Sequence, residues 1–206
     1  MGWFRKTSPA EPLPVTMAAV KLGDRFLAVG VRDPALVAAL AVKSGLTGTA
    51  CAVDADETRV KQAAQAIERD GALAEVVRAP FGMLPYDAGS FDVAVISDLL
   101  PTLTADVRSR CVAETLRVLR PGGRVVVIEA ARRGGFGALV NRHVIDATYD
   151  GPVKALKDEG FAAVRILAET HGVTYAEGIK TASPGTREMT APVDRDRLAG
   201  DPAGPV

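Results

Sequence analysis

The chain has 206 residues, 48% hydrophobic and 24% charged, with 25 basic against 25 acidic side chains and no formal net charge. That suits one globular domain with tails, and it argues against a strongly basic nucleic-acid-binding surface. Two cysteines, Cys51 and Cys111, make neither a metal-binding spacing nor a disulfide framework, and no apolar run is long enough to span a bilayer.

Residues 1–22 read as an N-terminal segment. Trp3, Phe4, Arg5 and Lys6 lead into Pro9, Glu11 and Pro12 rather than into an apolar core, so no secretory leader is expected and a reducing, cytoplasmic setting is. Their mix of apolar and basic groups is suited to a weak peripheral contact with a membrane surface. Residues 23–181 read as the folded domain. Residues 182–206 hold Pro184, Pro192, Pro202 and Pro205 and almost no large apolar groups, and are expected to form a disordered tail.

Within the domain, Arg25 to Val31 is a short apolar run and reads as a buried strand. Asp33-Pro34 follows, a good N-cap with proline at the first helical position, so a helix is expected from there to about Ser44-Gly45. Thr49 to Val53 is a second strand ending in Asp54. Asp56 opens a helix that Gly71 closes, and Leu73 to Val77 is a third strand. Phe91 to Ser97 is a fourth. Thr104 to Leu119 is an amphipathic helix with Val107, Cys111, Thr115 and Val118 on one face. Pro121-Gly122-Gly123 reads as a turn before a fifth strand, Arg124 to Ile128. A short helix, Ala155 to Glu159, precedes two strands, Phe161 to Leu167 and Val173 to Ile179, joined through His171-Gly172. Alternating apolar strands and helices imply an α/β Rossmann-like fold, a mostly parallel sheet covered on both faces, with a reversed strand near one edge.

In such a sheet ligands meet the carboxyl ends of the strands at the switch point. Gly30 there allows close backbone approach, and the alternative is a plain strand-to-helix turn. Only one glycine is present, so a dinucleotide pyrophosphate cradle is poorly supported. Asp54 can accept hydrogen bonds from a ribose diol, or simply cap the next helix. Ala79-Pro80-Phe81 can border a purine or pack on the core. Ser97 and Asp98 end the fourth strand, where Asp98 either orients an acceptor or sits solvated in a loop. Arg132-Arg133 and His143 fall in a long irregular stretch and are weak candidates for anion binding and for a base. Both cysteines are expected to be core. No catalytic constellation and no metal site is expected.

Two segments carry a resemblance. Leu84-Pro85-Tyr86-Asp87-Ala88-Gly89-Ser90-Phe91-Asp92-Val93 and Glu114-Thr115-Leu116-Arg117-Val118-Leu119-Arg120-Pro121-Gly122-Gly123-Arg124 resemble segments of class I S-adenosylmethionine-dependent methyltransferases of type 11. The ubiquinone and menaquinone biosynthesis C-methyltransferases are among these. The likeness runs from about Leu22 to Lys180 and implies a seven-stranded sheet with a reversed last strand. It also implies S-adenosylmethionine bound by Gly30, Val31, Asp54, Ala55, Pro80, Phe81 and Ser97, and methyl transfer to a small molecule. The chain departs from the family at Ala28, which stands for an acid, at Arg32 and Pro34, which stand for glycines, and at Pro80-Phe81, which stand for Asp-Ala. Arg32 would crowd the methionine end of the cofactor unless it turns away or pairs with the cofactor carboxylate. These departures favour an alternative, a catalytically degenerate relative that works as a binding or scaffold module. A nicotinamide-dependent oxidoreductase is a third reading, opposed by the missing glycines.

Overall fold

The computed structural model describes residues 11–130 and 148–182. Strands β1 (Arg25–Val29), β2 (Thr49–Asp54), β3 (Glu75–Arg78), β4 (Phe91–Ser97), β5 (Leu119–Ala130), β6 (Ala162–Thr170) and β7 (Val173–Ile179) form one sheet. Its order is β3-β2-β1-β4-β5-β7-β6. The first five strands are parallel, and β7 runs antiparallel to both β5 and β6. The fold class and the reversed strand beside the edge are thus as the sequence pattern implies. The chain winds outward from β1 in both directions, so the switch point lies between the carboxyl ends of β1 and β4.

Among the described residues the sheet is covered by α1 (Leu13–Ala18), α2 (Pro34–Ser44), α3 (Glu57–Arg69), α4 (Ala105–Val118) and α5 (Pro152–Asp158). Strand alternation sorts the core into two layers. Phe26 and Ala28 face a cluster with Leu40, Ala63 and Ile67 of α2 and α3. Leu27 and Val29 face one with Cys111, Val112 and Leu156 of α4 and α5. Both cysteines are free and buried, and burial pushes the Cys111 thiol up to about 12, which leaves it inert.

The helix starts follow their caps. The Asp33 carboxylate accepts from the Ala35 and Leu36 N–H groups, and that of Asp56 from Thr58 N–H. His171 and Gly172, both with positive φ, make the two-residue hairpin turn between β6 and β7. Details differ from the sequence reading, among them α5, which begins at Pro152, and β6, which runs on to Thr170. Residues 13–18 form a helix inside the expected N-terminal segment, because prolines at a helix start leave only orphan donors missing, and α1 buries Val15 and Ala18. β3 begins at Glu75, leaving Leu73 exposed. Pro121-Gly122-Gly123 bulges within β5, between the pairs Phe91–Leu119 and Val93–Arg124. A Cβ on Gly123 would lie 2.8 Å from the Arg120 carbonyl oxygen, so this close approach admits only glycine.

The two family-like segments hold each other. Glu114 accepts from Leu84 N–H at 2.8 Å and from Arg117 Nε at 2.7 Å, while Arg117 Nη2 donates to the Leu84 carbonyl at 3.1 Å. Asp92 accepts from Arg25 N–H at 2.8 Å, from the Arg25 guanidinium, and from Arg120 Nε. It thereby ties β4 to the start of β1 and to the β5 bulge. Burial opposes its charge, but the hydrogen bonds from Arg25 and Arg120 prevail and hold the carboxyl at about 2. The expectations for Trp3 to Lys6, Arg132-Arg133, His143 and residues 183–206 lie outside the described residues. Among the described residues no helix is long and apolar enough to cross a membrane.

Two outcomes are expected. Gly123→Ala should cost about 1–3 kcal/mol, lowering the melting temperature by several degrees in calorimetry. Asp92 is depressed below its unfolded value of about 3.9, so its contribution is complete above that pH and lost as pH falls toward 2. Asp92→Asn should therefore lower stability at neutral pH and flatten its decline between pH 4 and 2.

Candidate functional site

The carboxyl ends of β1, β2 and β4 meet around Gly30, Asp54 and Ser97. Gly30 adopts φ +82°, the left-handed region open to glycine, and its N–H donates to the Val53 carbonyl at 2.7 Å. Asp54 is wholly buried. Its Oδ2 accepts from Val31 N–H and its Oδ1 from Asp56 N–H, each at 2.8 Å, with Arg59 Nη1 3.7 Å from Oδ1. The carboxylate therefore joins the β1 and β2 tips through backbone amides. Two oxygens offer about four acceptor positions, so two remain beyond these backbone bonds.

Side chains of this protein close the crevice. A Cβ placed on Gly30 would lie 2.9 Å from Leu99 Cδ2, so Leu99, itself buried, packs against the glycine. Arg32 spans from the β1 tip to the 3-10 turn Leu100–Thr102. Its Nη2 donates to Thr102 Oγ1 at 2.7 Å, and that hydroxyl donates to the Leu99 carbonyl at 2.7 Å. Arg32 Nε is buried with no hydrogen-bond partner among the described residues. An unmade buried donor of this kind costs about 1–3 kcal/mol. Burial and the neighbouring Arg59 lower the Arg32 pKa, against the pull of Asp54 and Asp98. A cavity of about 500 Å³ borders Asp33, Gln62 and Arg69, and one of about 380 Å³ borders Leu46 and Leu73 at the opposite end of the sheet.

The structure gathers Gly30, Val31 and Asp54 at one point and brings Ala55 and Pro80 to its rim. Both of these are exposed; the Asp54 carbonyl accepts from Ala79 N–H at 3.1 Å, and Pro80 opens a turn closed by Met83 N–H at 3.1 Å. Phe81 is buried within the core cluster that holds Val53 and Leu84, which accords with the second reading of that loop, packing on the core. Ser97 is half-buried. Exposed Asp98 is in the left-handed region, where its N–H donates to the Ile128 carbonyl and its Oδ1 accepts from Ala130 N–H, both at 2.8 Å, so it fastens the β4 tip to β5.

Sequence reasoning missed four residues. Leu99, Thr102 and Arg59 reach the crevice by long-range packing, which no local pattern announces. Glu129 had a local signal, a lone acid closing the apolar run Val125 to Ile128. It is buried at the end of β5 and accepts from the Tyr149 hydroxyl at 2.6 Å, with the Arg108 guanidinium 4.7 Å from the Tyr149 ring centre. That puts an acid and a phenol at the β5 tip.

Because Asp54 serves two backbone amides, Asp54→Ala should behave first as a folding mutation. It leaves the Val31 and Asp56 N–H groups without their acceptor, at a cost of about 2–5 kcal/mol. A fall in melting temperature on the order of 10 °C is expected in a thermal melt.

Comparison with known proteins places the fold. The Methyltransferase domain family pattern matches residues 27–127. A Haemophilus influenzae protein without an assigned function is 28% identical over 143 residues, 62% of this chain and 57% of that protein. A ubiquinone/menaquinone biosynthesis C-methyltransferase of Ralstonia pickettii is 27% identical over 118 residues, 57% of this chain and 48% of the enzyme. The chain thus spans about half the length of these curated relatives. The crystal structure of a SAM-dependent methyltransferase from Aquifex aeolicus has a TM-score of 0.65 at 18% identity, covering 81% of this chain and 87% of that one, a likeness of fold. The matched pattern and the sheet order carry one conclusion: over residues 27–127 the chain is similar to the class I methyltransferase-domain family, and it has that fold.

Proposed function

We propose that the crevice binds S-adenosylmethionine and that the protein transfers its methyl group to a small molecule. The observation that carries this is Asp54, with two acceptor positions beyond its backbone bonds, placed at the β2 tip beside a left-handed Gly30. By chemistry the residues fit the group. Asp54 suits the ribose diol, and the unpaired Arg32 Nε suits an anionic end. Access is what this conformation withholds: Asp54 is buried, and Leu99 and Arg32 must shift, which flexible side-chain ends can do.

When bound, the cofactor supplies a methyl group on a sulfonium, poised for in-line displacement. The chain then has to align the acceptor and exclude water, and alignment alone supplies much of such a rate. A base is required only where the acceptor must lose a proton. Glu129, hydrogen-bonded to Tyr149, is the acid group at the β5 tip suited to that task. The packing of Leu99 on Gly30 favours a second reading, a family member that keeps the fold as a binding module and has lost the cofactor.

Titrating S-adenosylhomocysteine separates the two. At about 100 times the dissociation constant, binding should add roughly 2.7 kcal/mol, several degrees in melting temperature. Since Asp54 cannot be removed cleanly, its ribose role is tested from the ligand: the 2′-deoxy analogue should bind at least about tenfold more weakly, one lost charge-assisted hydrogen bond. No shift at millimolar ligand, on protein that melts cooperatively, favours the binding module.

A further inference from the structure

We propose that Arg32 holds the carboxylate at the amino-acid end of the S-adenosyl ligand, making it a specificity-determining residue where the family pattern has a glycine. The proposal rests on the reading that the crevice takes such a ligand, and adds the residue that selects its tail.

Three observations converge on it. Arg32 bridges the β1 tip and the turn after β4, the two sides of the switch point, through its 2.7 Å bond to Thr102 Oγ1. A ligand whose ribose sits at Asp54 and which extends across that switch point lays its tail along this guanidinium. Next, Arg32 Nε is buried and unpartnered among the described residues, so a cationic donor there has no acceptor among them. A planar guanidinium meets a carboxylate through two parallel N–H donors, and Nε with one Nη is one of the edges that does so. Finally, Asp54 and Asp98 are both close enough to act on Arg32 electrostatically. A ligand carboxylate brought near these acids is repelled unless a cation receives it, and Arg32 supplies that charge. A neutral or cationic tail would leave the Nε donor unpaired.

Leu99 fits the same picture. Its contact above Gly30 is made chiefly by Cδ2, the far end of a flexible side chain, and its carbonyl accepts from the Thr102 hydroxyl that holds Arg32.

The test compares two ligands that share adenosine and a thioether, S-adenosylhomocysteine and 5′-methylthioadenosine, of which only the first carries the amino-acid carboxylate. Calorimetry on the full chain should show wild type preferring S-adenosylhomocysteine by at least about tenfold, as a charge-assisted pair requires. Arg32→Ala should cut that preference below about threefold by weakening S-adenosylhomocysteine alone, and Arg32→Lys should restore part of it. If Arg32→Ala does not fold, Arg32→Gly, the residue of the family pattern, takes its place. An Arg32 variant that binds S-adenosylhomocysteine as tightly as wild type, or more tightly, would show the side chain to be an obstacle and overturn the proposal. Equal binding of both ligands by wild type overturns it while leaving the cofactor reading intact. Binding of neither overturns both.

Discussion

A carboxylate with no solvent exposure, Asp54, holds the β1 and β2 tips together by accepting from Val31 and Asp56 N–H groups. Most of the crevice follows from this. It fixes the backbone just after Gly30, at the point where the chain turns from β1 toward α2. It sets the height at which Arg32 leaves the loop, and so the reach of the guanidinium to Thr102. The same group thus has a structural duty and a ligand-binding one. The two are compatible because a carboxylate has more acceptor positions than two amides consume.

Further from the crevice, the family-like segments prove to be scaffold. Glu114, Arg117 and Leu84 close one network, and Asp92, Arg25 and Arg120 close another. The first fastens α4 to the loop before β4, the second fastens β4 to the start of β1 and to the β5 bulge, and neither includes Gly30 or Asp54. Such segments can persist while the ligand-facing positions change. The supporting bonds are formed here, while Arg32, Pro34, Pro80 and Phe81 are the positions where the sequence departs from the pattern it resembles. Fold membership therefore says little about the acceptor.

The parts legible in the sequence were those with a local physical signature. Buried parallel strands are unbroken apolar runs, and Asp33 and Asp56 mark helix starts because an N-cap needs a short side-chain acceptor. Helix α1 was hidden by Pro12 and Pro14, which break helices in their interior and favour them at the start. Gly30 and Asp54 were found, since strand-end position picks them out, but their surroundings were not. Whether an acid at a strand end faces solvent, a ligand or backbone amides depends on the neighbouring loop. The contact of Leu99 with Gly30 joins residues far apart in the chain. Phe81 belongs to the core for a similar reason: its loop folds back over Val53 and Leu84.

The crystal structure of the protein with S-adenosylhomocysteine tests the central claim most directly. The account predicts ribose hydroxyls on Asp54, with the Val31 and Asp56 amide bonds kept, the ligand carboxylate on Arg32, and Leu99 turned away from Gly30. Ligand bound at a different place, or absent at saturating concentration with Leu99 still against Gly30, would contradict it.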